Sequence, residues 1–295
     1  MKVWILETRP QFLILSVVLV ILGTAMAWYD GYFNPLFFAL CFVGLLLVHI
    51  TVNVLNDYFD YRSGIDLATT RTPFSGGSGI LPARLMTPQA ALRFGLIALL
   101  LATPIGAYFV LVRGWQLLPL FVIGAIFAVF YTPLLSRWYI GEIIAGLGMG
   151  ALPVLGLYVI QSGAFSVAAI VACVPSGFLV HNLLLLNEFP DADADRKAGR
   201  RHIPIVLGKA RAAVVYTMVT LAVYIWIVGG VVAGFLPAFT LLGLLTLPWA
   251  YKAIRGAFHH NDMAQLVPAL AANVMVVLIT QALMAVGYII ATLLA

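Results

Sequence analysis

The sequence predicts an all-α polytopic membrane protein of nine transmembrane helices. Three observations carry that reading. The chain of 295 residues is 63% hydrophobic and only 9% charged, with a mean hydropathy of +1.06, well outside the range of soluble domains. Its apolar runs repeatedly reach the roughly 17–25 residues that a helix needs to cross a bilayer. Its basic residues segregate to one side of the layout that those runs define.

Taken in order, the spans are expected at 11–29, 35–57, 88–112, 116–134, 141–160, 165–188, 210–234, 236–253 and 266–294. The first run, from Phe12, reads as a retained helix rather than a cleaved signal. The seventh and eighth are separated only by Gly234 to Pro237 and form a tight hairpin. Pro104, Pro119, Pro153, Pro175 and Pro248 are expected at kinks or near helix ends. With the N-terminus cytoplasmic, fifteen of the sixteen Lys and Arg residues lie inside and only Arg113 outside. An odd count then puts the C-terminus outside. This topology accounts for the net charge of +5, so no nucleic-acid partner is expected. Cys41 and Cys173 sit in apolar runs and read as buried thiols. Residues 1–295 are read as a single domain in a bacterial or archaeal cell membrane.

Charge is scarce, yet seven of the eleven acidic residues fall in two short stretches. One is Asn56-Asp57-Tyr58-Phe59-Asp60-Tyr61-Arg62, with Asp66 following; the other runs from Asn187-Glu188 through Asp191 and Asp193 to Asp195. His49, Asn53, Asn56 and Asp60 are spaced by four, three and four, which puts them on one helical face. His181, Asn187 or Glu188, Asp191 and Asp195 likewise run down one side of a later helix. Ionised groups near lipid are costly, so two such stripes point into the bundle and to function. Facing acids suit a hard divalent cation such as Mg²⁺, which takes oxygen ligands and bridges to phosphates. A solvated helix end with polar caps is the plainer reading of either stretch alone.

Basic residues follow each stretch: Arg62 and Arg71 after the first, and Arg196, Lys197, Arg200 and Arg201 after the second. With Arg137 they are candidates to hold diphosphate oxygens, although loop arginines on this side also satisfy the topology rule. Between residues 72 and 79 the loop is rich in glycine and serine, fit either for a mobile cover over a site or for a plain connector.

Asn56-Asp57-x-x-Asp60 and Asp191-x-x-x-Asp195 resemble the paired motifs of the UbiA superfamily of intramembrane prenyltransferases. Arg9-Pro10, Tyr131-Thr132-Pro133, Gly141-Glu142 and Leu207-Gly208 extend the likeness along the chain. Ser63-Gly64 and Asp195-Arg196-x-Ala198-Gly199-Arg200-Arg201 are most similar to the 1,4-dihydroxy-2-naphthoate branch. The resemblance implies a central cavity with a cytoplasmic cap. It implies Mg²⁺ held through Asn56, Asp60, Asp191 and Asp195, with Asp57 and Asp66 close by. It further implies transfer of a polyprenyl group from polyprenyl diphosphate to a small aromatic acceptor at the membrane lipid boundary, by an allylic carbocation. Asp57, Asp60, Asp66, Asp191 and Asp195 are then the catalytic candidates, with Asp66 or Asp57 the base. Asn53, Arg62, Arg71, Tyr131, Arg137, Asn187, Lys197 and Arg201 are the substrate-binding candidates. The leader Asn187-Glu188-Phe189-Pro190 departs from the family's usual pattern, a departure that bears on the acceptor. A different aromatic or lipid acceptor, an intramembrane terpene cyclase and a cation-coupled transporter are the competing readings.

Overall fold

The computed structural model describes residues 2–69 and 71–295. Regular structure among them is helical throughout. A short α1 (Lys2–Glu7) precedes α2 (Pro10–Tyr29), the long α3 (Pro35–Ser63) and a single turn, α4 (Ile65–Ala68). After an irregular loop come α5 (Pro88–Arg113), α6 (Leu118–Phe130), α7 (Gly141–Gly146) and α8 (Leu152–Ser162). The long α9 (Val167–Lys197) is followed by α10 (Ile203–Val206), α11 (Lys209–Val232), α12 (Leu247–Phe258) and α13 (Met263–Leu294).

Among the described residues, seven helical segments are long and apolar enough to cross a membrane: 10–29, 35–63, 88–113, 141–162, 167–197, 209–232 and 263–294. Two of the nine expected spans are built differently. The fourth is a 3₁₀ turn (Trp115–Leu117) leading into the 13 residues of α6. The eighth is a 3₁₀ segment, Ala238–Thr246, that runs into α12. Pro119, Pro153 and Pro248 sit in the first turns of α6, α8 and α12, each just after a 3₁₀ or π segment where the helical pattern changes. Pro104 and Pro175 lie inside α5 and α9.

Local sequence explains the helix ends. Asn34 accepts from the amides of Leu36 and Phe37 to start α3, and Ser166 accepts from Ala169 to start α9. Gly64, at φ +84°, ends α3 and turns the chain into α4.

α3 packs on α5, α2 on α8 and α13, and α11 on α9. Leu19, Leu22, Leu157, Val180, Val277 and Met284 belong to the central core. A second cluster around Phe189, Ile203, Tyr216 and Leu266 ties the end of α9 to α10, α11 and α13. A third, with Val54, Ile80, Leu81 and Met86, anchors the loop before α5 against α3. Large apolar side chains such as Leu100, Leu111, Ile225 and Val232 face outward, as a lipid-exposed surface requires. Between α7 and α8 the chain makes a π-turn, Leu147–Ala151, pressed on α9. A Cβ on Gly150 would lie 2.4 Å from the Ser176 carbonyl, so only glycine permits this approach.

Candidate active site

The predicted polar face of α3 exists. His49, Asn53, Asn56 and Asp60 all line one cavity enclosed by the bundle, and Asn187, Glu188, Asp191 and Asp195 of α9 line it from the other side. The rest of the wall is largely apolar, with Phe12, Leu15, Phe127, Met149, Val277 and Leu278. The cavity therefore joins a carboxylate-rich end to a hydrocarbon chamber.

One guanidinium joins the two acidic helix ends. Arg200 donates to Asp195 Oδ1 at 2.9 Å and to Asp60 Oδ1. Burial opposes its charge, but Asp60 and Asp195 outweigh that and raise its pKa further. Asn56 Nδ2 donates to Asp60 Oδ2 (3.0 Å) and to Thr132 Oγ1 (3.1 Å), so the second oxygen of Asp60 is also oriented. Asp195 Oδ2 lies 2.9 Å from His202 Nε2.

The first cluster is fastened by backbone and by the N-terminal segment. Asp57 Oδ2 accepts from the Ser78 amide at 2.7 Å, and its other oxygen lies 3.7 Å from Arg9. The Ser78 hydroxyl donates to Glu7 Oε2 at 2.8 Å. Burial, with Asp57 adding to it, pushes the Glu7 carboxyl up to about 7. Gly77, at φ +69°, packs directly on Asp66; a Cβ there would sit 2.9 Å from Asp66 Oδ2. Burial first, then the charges of Asp60 and Asp57, push Asp66 up to about 8. Thus the glycine-rich loop is pinned over the site by contacts to Asp57, Glu7 and Asp66.

An all-oxygen set suits a hard cation. Asp191 Oδ1, Asn187 Oδ1 and Asp66 Oδ2 are buried with no hydrogen-bond partner, although all three residues line the cavity. Buried acceptors left in this state are costly unless a cation or donor satisfies them. The residues present therefore fit a divalent ion carrying phosphate oxygens.

A model of the UbiA prenyltransferase family matches residues 16–270. The chain belongs to the UbiA prenyltransferase family. It is an integral membrane prenyltransferase. It is 29% identical over 259 residues to 1,4-dihydroxy-2-naphthoate octaprenyltransferase of Bacillus subtilis, covering 87% of this chain and 82% of that protein. Among solved structures, an apo UbiA homolog from Aeropyrum pernix aligns with a TM-score of 0.70 at 19% identity, over 95% of this chain and 98% of the other. A UbiA homolog from Archaeoglobus fulgidus, bound to GPP and Mg²⁺, aligns with a TM-score of 0.64 at 14% identity, over 98% and 99%. These two show the shared fold.

The remaining expected residues of this UbiA site are distributed unevenly. Asn53 and Tyr131 line the cavity, Asn53 donating to the Thr8 carbonyl at 2.9 Å. Burial, followed by the fields of Glu188 and Glu142, raises the Tyr131 hydroxyl well above its usual range. Arg62 and Arg137 are exposed and line a smaller recess that shares Asp60, Arg200 and Ser136 with the cavity. Arg71 is exposed, its guanidinium bound to the carbonyls of Gly77 (3.3 Å) and Ser78, so it braces the loop. Lys197 and Arg201 are exposed and do not line the cavity. Arg9, Arg200 and His202 are the additions. Arg200 was visible in sequence as one member of a basic run and of the Asp195–Arg201 stretch, but not as a site residue. Arg9 stood out only as part of Arg9-Pro10, and nothing marked His202.

Proposed function

We propose that this chain transfers a polyprenyl group from polyprenyl diphosphate to 1,4-dihydroxy-2-naphthoate, with Mg²⁺ as cofactor. The observation that carries the reading is the joining of Asp60 and Asp195, from distant helices, on Arg200 at the mouth of an apolar chamber. The 29% identity to a dihydroxynaphthoate octaprenyltransferase supports the acceptor, and the GPP and Mg²⁺ bound by the Archaeoglobus homolog support the donor and the ion.

Asn56, Asp60, Asp191 and Asp195 would hold the ion. When bound, it supplies positive charge that neutralises the departing diphosphate. Arg200 and Arg9 add charge and hydrogen-bond donors at the same end of the cavity. Phe12, Leu15, Phe127, Met149 and Leu278 solvate the prenyl tail, at about 0.8 kcal/mol per buried CH₂. The allylic C–O bond breaks, its electron pair leaving with diphosphate, and an allylic carbocation remains. The ring carbon bearing the carboxylate attacks that cation; the new C–C bond forms and CO₂ leaves. Phe127 and Tyr131, which line the same cavity, supply aromatic π-density to the developing positive charge. Asp66, which lines the cavity beneath Gly77, orients the acceptor by hydrogen bonding. The charge bias puts the acidic mouth and the N-terminus on the cytoplasmic side and the C-terminus outside, and residues 1–295 act as one domain.

The test is incubation of purified protein with Mg²⁺, polyprenyl diphosphates of several lengths and an acceptor panel, read by mass spectrometry. The panel holds dihydroxynaphthoate, 4-hydroxybenzoate, homogentisate and a glycerol-phosphate lipid. A prenylated naphthalenediol that has lost CO₂ is expected. Product from another acceptor alone, or a cyclised hydrocarbon formed with no acceptor, overturns the assignment.

A further inference from the structure

Beside the diphosphate end lies a second cluster that the proposed reaction does not use. Glu142 opens α7, Glu188 lies on α9 and His202 precedes α10; all three are buried, at 0%, 7% and 2% exposure. One ligand-type atom from each comes within 4.8 Å of the others.

Their hydrogen bonds leave three atoms without partners. Glu142 Oε1 accepts from the Ile203 amide at 2.6 Å, while Oε2 is buried and unpartnered. Glu188 Oε2 and His202 Nδ1 are also buried and unpartnered, 3.8 Å apart. Asp195 Oδ2 lies 2.9 Å from His202 Nε2, so a carboxylate holds that side of the ring while Nδ1 faces the glutamates. A carboxylate holding the far side of an imidazole whose near nitrogen faces further ligands is the second-shell arrangement of metal-binding histidines. Two buried carboxylates and an imidazole nitrogen gathered within 4.8 Å repel unless a proton or a metal ion is shared among them.

We propose that Glu142, Glu188 and His202 form a second divalent-cation site, selective for a borderline ion of the Zn²⁺ type. An imidazole nitrogen with two carboxylates matches zinc chemistry, whereas Mg²⁺ prefers oxygen ligands and retained water. The ion cross-links α7, α9 and the segment entering α10. Through His202 it holds Asp195 in place, so the site is structural and Glu142 and Glu188 are positioning residues. The proposal is independent of the identity of the prenyl acceptor.

The experiment strips purified full-length protein with chelator, reloads it with Zn²⁺ in excess Mg²⁺, desalts it and counts metal by mass spectrometry. The wild type is expected to retain about one Zn²⁺ per chain. H202A and the near-isosteric E142Q should retain less than about a tenth of that, while D191N, altered only in the diphosphate site, should retain it in full. Size-exclusion profiles identify any variant that fails to fold, and X-ray absorption of the zinc-loaded wild type then decides, with one nitrogen neighbour from imidazole expected. No retention by wild type, equal retention by folded H202A and E142Q, loss in D191N, or a zinc shell without imidazole would each overturn the assignment.

Discussion

The ends of α3 and α9 carry nearly the same residue types, an asparagine followed by spaced acids, yet they are held in different ways. At the end of α3, Asp57 is bound by a backbone amide and Asp66 lies under the backbone of Gly77. At the end of α9, Asp195 is held by two side chains from its own downstream turn, Arg200 and His202. Backbone donors are fixed by the fold, whereas an arginine fork can exchange one anion for another. The comparison teaches that the first cluster is a platform held partly by backbone and the second an arm held by side chains, with Arg200 the pin that joins Asp60 to Asp195.

Removing that pin should have the largest effect. Arg200→Ala strands Asp60 and Asp195 in a buried site, and loss of one member of a buried ionic group costs about 3–5 kcal/mol. Thermal unfolding in detergent reads this, and Arg200→Lys should recover only part, since a point charge cannot bridge two carboxylates as a fork does. An unchanged midpoint for Arg200→Ala would mean the two ends are not coupled through it.

Next in size are the acids themselves. Asp60→Asn and Asp191→Asn are each expected to lower kcat by about 10²–10³-fold, the usual cost of losing one transition-state contact. Steady-state assays over a Mg²⁺ series check this, and a full wild-type rate in either variant removes that residue from the site.

A glycine pair sharpens the contrast between platform and arm. Gly77 (φ +69°) and Gly199 (φ +84°) both adopt left-handed backbone, so alanine at either strains the chain by about 1–2 kcal/mol. Only Gly77→Ala also presses a methyl on Asp66, because a Cβ at Gly199 meets nothing within 4 Å. Similar losses in melting temperature with a larger loss of kcat/KM for Gly77→Ala are expected. Equal kinetic losses would deny the loop its role over Asp66.

A further effect concerns pH. Glu7, raised from 4.5 to about 7 chiefly by burial, binds its proton more tightly folded than unfolded. Its contribution is therefore greatest below pH 4.5 and is lost as pH rises through 7. Glu7→Gln should flatten that part of the stability profile, as read by melting temperature between pH 4.5 and 8.

Much of this was legible in the sequence. The alternation of long apolar runs marked the spans, and the four-three-four spacing of His49, Asn53, Asn56 and Asp60 marked the face that lines the cavity. Two spans were drawn too regularly, because hydropathy measures transfer from water and is blind to whether residues 238–246 coil as α or 3₁₀. The π-turn at 147–151 was hidden for a similar reason: it follows from glycines meeting α9, a tertiary contact. Arg200 was indistinguishable from Arg196 and Arg201 in a basic run. Which arginine turns inward depends on the turn after Lys197, where Gly199 takes a positive φ. Glu142 and His202 were invisible as partners because 60 residues of sequence separate groups that the fold brings to one ligand-sized space.

The central claim is that the two helix ends grip one metal-bound diphosphate jointly. Equilibrium binding of a prenyl diphosphate across a Mg²⁺ titration, in wild type, D60N, D191N and the double variant, tests it most directly. A shared site predicts that each single change removes most of the Mg²⁺-dependent affinity and that the double is hardly worse than either. Losses that simply add, as they would for two independent sites, would contradict it.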